Sequence, residues 1–335
     1  MTARRAVGLV STHARRLSTK NEVTSRLLER LRRNPELSDE DAKAELRWMR
    51  QAAPSPPGDG RLRAMVERRS RGEPLQYILG DTDFGPLTIL CRPPTLIPRP
   101  ETAHVFTRLA EAIGAHRPSP ALRIADLCTG TGCIPLLLRH LLGPGAHLTG
   151  FDLSPEAIAL AKENARALDL DAGFHELDVF NPSAAEQIVQ HSGGRVGVLV
   201  SNPPYIPLHE YRALPASVRS YEDPRALLGD PSGGEGDGLA FYRCIAGLLP
   251  DVLQSEEEMN RDGLGGLPRV AVEIGAEQGR AVEQILRSGP GGVVRRTEVW
   301  TDQHGRDRAV VGWASFVGSH ARAHSHLVCD RMQGD

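Results

Sequence analysis

The 335-residue chain predicts an α/β fold: a mostly parallel sheet with helices on both faces and an antiparallel C-terminal edge, preceded by a small helical domain. From residue 122 onward, short apolar runs alternate with helix-length amphipathic stretches, as repeated βα units require. The last two apolar runs, Thr297–Thr301 and Ala309–Trp313, are separated only by the turn-like Gln303-His304-Gly305-Arg306-Asp307, and so add an antiparallel pair. Ahead of all of these, residues 22–72 show helical periodicity without strand-like runs.

The elements follow in order. Residues 22–50 read as mostly helical, with Leu27, Leu28 and Leu31 on one apolar face. A second stretch opens at Ser38-Asp39-Glu40. Residues 52–60 are a Pro- and Gly-rich linker, and 61–71 a basic helix. Gln76–Gly80 and Thr88–Cys91 read as short strands of a hairpin-like connector over 73–105. Leu96-Ile97-Pro98-Arg99-Pro100-Glu101-Thr102 is an extended loop, fixed by two prolines, that leads into a helix from Thr102 to Gly114. Strands are expected at 122–127, 147–151, 174–177, 197–201 and 269–274, with helices at 132–142, 155–167, 240–249 and 277–287. Ser154 and Pro155 cap the second of those helices. With the closing pair this makes seven strands. Gly229–Gly238 and Ser255–Gly266 read as solvated loops. The expected organisation is a basic segment over 1–21, a helical domain over 22–72, a connector over 73–105, the main domain over 106–318 and a tail over 319–335.

Composition bounds the function. No apolar run reaches the roughly 18 residues a bilayer span needs. The five cysteines are scattered, without a Cys-x-x-Cys pair, so neither a metal site nor a disulfide framework is expected. Residues 1–72 hold 17 Lys and Arg against 9 Asp and Glu, whereas the remainder holds 23 against 33. An acidic main domain disfavours nucleic acid as the direct substrate. Residues 1–21 carry Arg4, Arg5, Arg15, Arg16 and Lys20 and no acid, which resembles a mitochondrial transit segment, with a cytoplasmic setting as the alternative.

Asp126-Leu127-Cys128-Thr129-Gly130-Thr131-Gly132 lies between a strand and a helix. Gly130 and Gly132 allow close backbone approach to a ligand at the carboxyl edge of the sheet. The dinucleotide spacing and the P-loop ending are both missing, so a nucleoside without phosphates is expected. Asp152 ends the next strand, where an acid accepts bonds from ribose hydroxyls, and Asp178 ends the third, within reach of an adenine amino group. The fourth strand ends in Asn202-Pro203-Pro204-Tyr205. Its prolines remove two donors and hold the chain extended, so carbonyls and the Asn202 side chain point outward. Such a site accepts both hydrogens of a planar NH2 group, while Tyr205 offers a face to stack on. The strand-end set resembles the S-adenosylmethionine site of Rossmann-like class I methyltransferases.

By itself the tetrapeptide suits an amide or an adenine nitrogen alike. Other segments are more specific. Gly72–Gly80, Asp83-Phe84, Leu96–Thr102, Ser201–Pro207 and Tyr221–Pro224 resemble the protein-(glutamine-N5) methyltransferases of the HemK/PrmC type, over about residues 40–313. The resemblance implies S-adenosylmethionine-dependent methylation of the glutamine in the Gly-Gly-Gln motif of a class 1 release factor, supporting translation termination. It implies that Asn202 Oδ1 and the Pro203 carbonyl hold the amide, with Pro204 and Tyr205 completing the catalytic motif. It assigns Asp126, Cys128, Thr129, Gly130, Thr131, Gly132, Asp152, Asp178, Val179 and Asn202 to the cofactor, and Phe84, Arg99 and Glu101 to the substrate pocket. The chain departs from the pattern at Cys128, in place of a glycine, at Thr82, in place of a tryptophan, and at Ala103-His104, in place of an acidic pair. The expected partner is the release factor, with no membrane, no metal and a monomeric chain. The alternatives are an amino-group methyltransferase acting on nucleic acid and a non-catalytic cofactor-binding factor.

Overall fold

The computed structural model describes residues 22–53, 59–114, 122–231 and 236–314. The chain divides into two compact units. One comprises residues up to Thr82 together with Leu90–Ile97 and Arg212–Pro224; the other comprises Asp83–Ile89, Pro98–Tyr211 and the chain from Arg225 on.

The first unit is built from α1 (22–31), α2 (Asp39–Ala52), α3 (Asp59–Ser70) and α4 (Leu75–Leu79). Ser38 caps α2 in a reciprocal capping box with Asp41, and three acids sit at its positive end. Ala42, Leu46 and Met49 line one face at helical spacing and pack with Leu27, Leu31, Met65, Val66, Leu75 and Ile78. A bidentate pair from Arg69 to Glu45 lies inside this core, at 2.6 and 3.0 Å. Removing either partner would leave a buried charge, at a cost of about 3–5 kcal/mol. Helix α4 corrects the strand expected at Gln76–Gly80. Five residues are too few for periodicity to distinguish, but Pro74 precedes the first turn and Gly80 closes the last at φ 101°. The later segments join this unit through Tyr77 Oη to the Thr95 carbonyl (2.7 Å), Asp223 N to the Pro94 carbonyl (2.8 Å) and Ser217 N to Glu36 Oε1 (3.1 Å). A hairpin of β1 (Asp81–Phe84) and β2 (Leu87–Leu90) follows α4 in the chain.

In the second unit the order is α5 (Pro100–Gly114), β3 (Leu122–Leu127), α6 (Cys133–Leu142), β4 (Ala146–Asp152), α7 (Pro155–Leu168), β5 (Gly173–Glu176), α8 (Ala184–His191) and β6 (Val198–Ser201). After two short helices in the 208–221 stretch come α9 (Ala240–Val252), α10 (Glu256–Arg261), β7 (Val270–Glu273), α11 (Gly279–Ser288), β8 (Arg296–Thr301) and β9 (Asp307–Trp313). The sheet has seven strands in the order β5-β4-β3-β6-β7-β9-β8. Strands β3 to β7 run parallel; β9 is antiparallel to both β7 and β8. The expected class I methyltransferase architecture is therefore present.

Strand periodicity divides the core. Leu122, Ile124, Val198, Val200 and Ala271 face one apolar layer with α5, α6 and α7. Ala125, Leu127, Leu199, Val270 and Val272 face the other, with α8, α9 and α11. Leu127 is completely buried; its truncation to Ala would cost about 2–5 kcal/mol. Register then sets the site. Leu127 pairs with Phe151 on one side and Ser201 on the other. Cys128, Asp152 and Asn202 thus leave the sheet at one level, where the strand order reverses.

Two expectations about loops need correction. Ser255–Gly266 is not a solvated loop. Ser255 and Glu258 form a capping box that starts α10, and Met259 and Leu264 are buried. The described part of Gly229–Gly238 also packs: Gly229 N donates to the Ile206 carbonyl, and Gly238 N donates to Asp230 Oδ2.

Candidate active site

The turn after β3 is the tightest backbone in the site. Cys128, Gly130 and Gly132 take φ values of 58°, 54° and 77°. Gly132 opens α6, and a Cβ there would come within 2.9 Å of Ala161 and the Phe174 ring. At Cys128 a side chain occupies a conformation that costs an L-residue about 1–2 kcal/mol. Burial pushes its thiol well above the usual range, so it is held neutral and is no nucleophile.

Asp152 organises the turn from the neighbouring strand. Its Oδ2 accepts from Gly130 N at 2.8 Å and its Oδ1 from Ser154 N at 2.9 Å. Asp178 is exposed; its Oδ1 accepts from Phe180 N at 2.9 Å, and Val179 beside it is buried. Asp126 is buried; among the described residues its carboxylate oxygens make no hydrogen bond of good geometry, and the Thr129 hydroxyl is the polar group beside them that favours the charged form. The Thr131 hydroxyl is buried and unpartnered among the described residues. Burial raises the Asp126 carboxyl well above its ordinary value. Unsatisfied groups of this kind are costly unless a ligand completes them. A ligand with an amino-acid end and a ribose fits them, as S-adenosylmethionine does.

Sequence reading missed two apolar residues here. Leu153 and Phe180 are 52 % and 41 % exposed, and each closely follows a strand-end acid. Phe180 stands edge-on to Phe241, with ring centroids 4.9 Å apart. The signal was present as an apolar residue within two positions of Asp152 and of Asp178.

Past β6, Asn202 and Tyr205 are partly exposed, whereas Pro203 and Pro204 are buried. Gln278 fastens the motif. Its Nε2 donates to the Tyr205 carbonyl at 3.0 Å, and its Oε1 accepts from Gly275 N at 3.0 Å. Gly238, at φ 74°, presses on the same carbonyl so closely that a Cβ would collide with it. The Tyr205 phenol is pushed up to about 12, first by burial and then by Glu273, so it stays protonated and is no base at neutral pH.

Behind the motif lies a chain of polar groups that the sequence did not reveal. Asn202 Nδ2 donates to Thr102 Oγ1 at 3.4 Å, and Thr102 Oγ1 donates to Glu273 Oε2 at 2.6 Å. Glu273 is buried in β7, and burial pushes its carboxyl up to about 7. Arg308, also missed, lies near Tyr205, Glu273, Asp302 and Glu101. Arg99 acts electrostatically on Tyr205 and Glu273, and Glu101 on Glu273, which places both charges in the neighbourhood of the motif. Phe84 is a correction. It is fully buried in the main apolar layer with Phe106 and Leu137, because its position in β1 points it into the core. His104 is exposed on α5.

Comparison with known proteins agrees with this arrangement. Residues 118–202 match the family description of a methyltransferase domain, and residues 42–80 match that of a PrmC N-terminal domain. The chain is 36% identical over 246 residues to a release factor glutamine methyltransferase of Bacillus cereus, covering 73% of this chain and 78% of that protein. It is 37% identical over 263 residues to one from Moorella thermoacetica, covering 77% and 81%. It is 38% identical over 259 residues to one from Cereibacter sphaeroides, with the same coverage. At this identity over about three quarters of its length, the chain belongs to the release factor glutamine methyltransferase family.

Proposed function

We propose that this protein methylates the side-chain nitrogen of the glutamine in the Gly-Gly-Gln motif of a class 1 release factor, using S-adenosylmethionine. The observation that carries the reading is that the turn after β3, with its unsatisfied polar groups, the Asp152 strand end and the Asn202–Tyr205 motif all leave the sheet at one level. The cofactor, when bound, supplies an electrophilic sulfonium methyl with a good leaving group. Asp152 holds the ribose, Asp178 and Val179 meet the adenine edge, and Asp126 with Thr129 and Thr131 takes the amino-acid end.

An amide nitrogen is a weak nucleophile because its lone pair is conjugated to the carbonyl. The side chains here do not supply a strong base: Tyr205 stays protonated, and burial keeps the Cys128 thiol neutral. Position therefore does the work. Two acceptors fix the two N–H groups and aim the nitrogen along the transfer axis, and orientation of this kind lowers a barrier substantially. Tyr205 packs against the planar amide. The methylated nitrogen, now a strong acid, then gives up one of its N–H protons to solvent water.

Incubation with methyl-labelled cofactor and a purified release factor, wild type against Gln→Ala in Gly-Gly-Gln, tests the reading. Label on the wild-type factor alone supports it. Label on the altered factor, or on nucleic acid instead, overturns it. A mitochondrial setting is part of the same proposal, supported by the basic composition of residues 1–21, which lie outside the described residues. A reporter fused to residues 1–21 that fails to enter isolated mitochondria would refute that part.

A further inference from the structure

We propose that Glu273 and Thr102 form a relay that sets the polarity of Asn202, holding its side-chain amide so that Oδ1, and not Nδ2, is turned toward the substrate. The proposal rests on Asn202 as acceptor of a substrate N–H, as argued above. The relay is read from three atoms in series. An ionised Glu273 has no hydrogen to give, so Oε2 accepts from Thr102 Oγ1 at 2.6 Å. A threonine hydroxyl has one hydrogen, and here it is spent. Toward Asn202, Thr102 therefore offers only a lone pair. Asn202 meets it with Nδ2, at 3.4 Å. Because the amide is planar, this turns Oδ1 away from Thr102.

Protonating Glu273 reverses the series. The carboxyl then donates to Thr102 Oγ1, and the threonine hydrogen is released toward Asn202. The amide that satisfies this donor is the flipped one, with Oδ1 on Thr102 and Nδ2 toward the substrate. A donor facing the N–H of glutamine repels it. Glutamine binding and alignment are then lost together, with no change in the cofactor half.

The surroundings set where this reversal falls. Glu273 is faced by Arg308 from β9, by Arg99 before α5, by Glu101 in the first turn of α5 and by Tyr205 after β6. From α9, Tyr242 Oη donates to the backbone carbonyl of Glu273 at 2.8 Å. The arginines favour the carboxylate; burial and Glu101 oppose it, and the carboxyl comes to about 7. The competent, ionised form is present above that value and is lost as pH falls through it.

The test is the pH profile of kcat at saturating S-adenosylmethionine, with the full chain and a purified class 1 release factor. Four proteins are compared: wild type, Glu273→Gln, Thr102→Val and Thr102→Ser. Cofactor Kd and thermal midpoint are measured alongside. Wild-type kcat should fall about tenfold between pH 8 and pH 6, as a single titrating group requires. Glu273→Gln should flatten that limb and lower kcat at pH 8. Thr102→Val should lower kcat at pH 8 about tenfold or more with cofactor Kd within about twofold, a separation that loss of a single aligning contact produces. Thr102→Ser should recover most of the loss. An unchanged acid limb in Glu273→Gln, or full activity in Thr102→Val, overturns the relay while leaving the function standing. Should Thr102→Val not fold, the Glu273→Gln profile decides alone. Absence of transfer by the wild type at every pH overturns the function and the relay together.

Discussion

The two halves of the sheet's carboxyl edge are built on opposite plans. At the end of β3, polar groups are left over. Among the described residues Asp126 and Thr131 make no well-formed side-chain hydrogen bond, and the backbone is forced through left-handed conformations at Cys128, Gly130 and Gly132. At the ends of β6 and β7 the polar groups are linked. Asn202 is tied through Thr102 to Glu273, and Tyr205 through Gln278 to Gly275. The first plan suits a ligand that completes the site and is held tightly. The second suits a reaction that depends on aim. Binding and transfer should therefore be separable by mutation.

The strongest way to break this separation is Asn202→Ala. It should lower kcat by about 100-fold or more, as loss of one aligned polar contact to a reacting group does, with cofactor Kd within about twofold by calorimetry. Parallel loss of cofactor binding would join the two halves again. Asp152→Ala should act in reverse. Removing a charged acceptor and the brace on Gly130 costs about 2 kcal/mol, or roughly thirtyfold in cofactor Kd, while kcat at saturating cofactor changes much less. Gly238→Ala tests whether the transfer half is stiff. A methyl driven against the Tyr205 carbonyl should reduce kcat about tenfold by displacing the motif, an effect in line with small misplacements of reacting groups; unaltered kcat would mean the motif has slack. The smallest effect belongs to the cofactor turn. Cys128→Gly should remove about 1 kcal/mol of left-handed strain and raise the thermal midpoint by about 2 °C. Cys128→Val should lower it, because a β-branched residue is least tolerated there. Equal midpoints for the three proteins would place the strain elsewhere.

What the sequence made legible follows the same division. The ends of β3, β4 and β5 lie on contiguous motifs, each with its own turn, so the positions of Asp126–Gly132, Asp152 and Asp178 at those ends were legible from pattern alone. The helices that carry caps, at Ser38 and at Ser154-Pro155, were readable for the same local reason. The transfer half depends on contacts distant in sequence. Thr102 and Glu273 are 171 residues apart, and no local periodicity links them. Short apolar stretches misled in both directions. Leu75–Leu79 is a helix because Pro74 and Gly80 frame it, and Phe84 is core because the pleat of β1 turns it inward. Ser255–Glu258 carried a legible capping box, but its run of acids read as a solvated surface before Met259 was known to be buried.

The division of the chain into units has a consequence for how the protein is made. The backbone passes between the two units five times, and Arg212–Pro224, seven residues beyond Tyr205, belongs with the N-terminal helices. The unit that is first in sequence is thus not finished on the ribosome until much of the second has been made. Its helices emerge early but wait for residue 224, by which point the strands up to β6 and the Asn202–Tyr205 tetrapeptide have already been synthesised. Excising residues 22–82 as a detachable module would strand the 212–224 segment without Glu36 and Tyr77, its companions in that unit. A truncated chain would carry its lesion just downstream of the motif it was meant to leave intact.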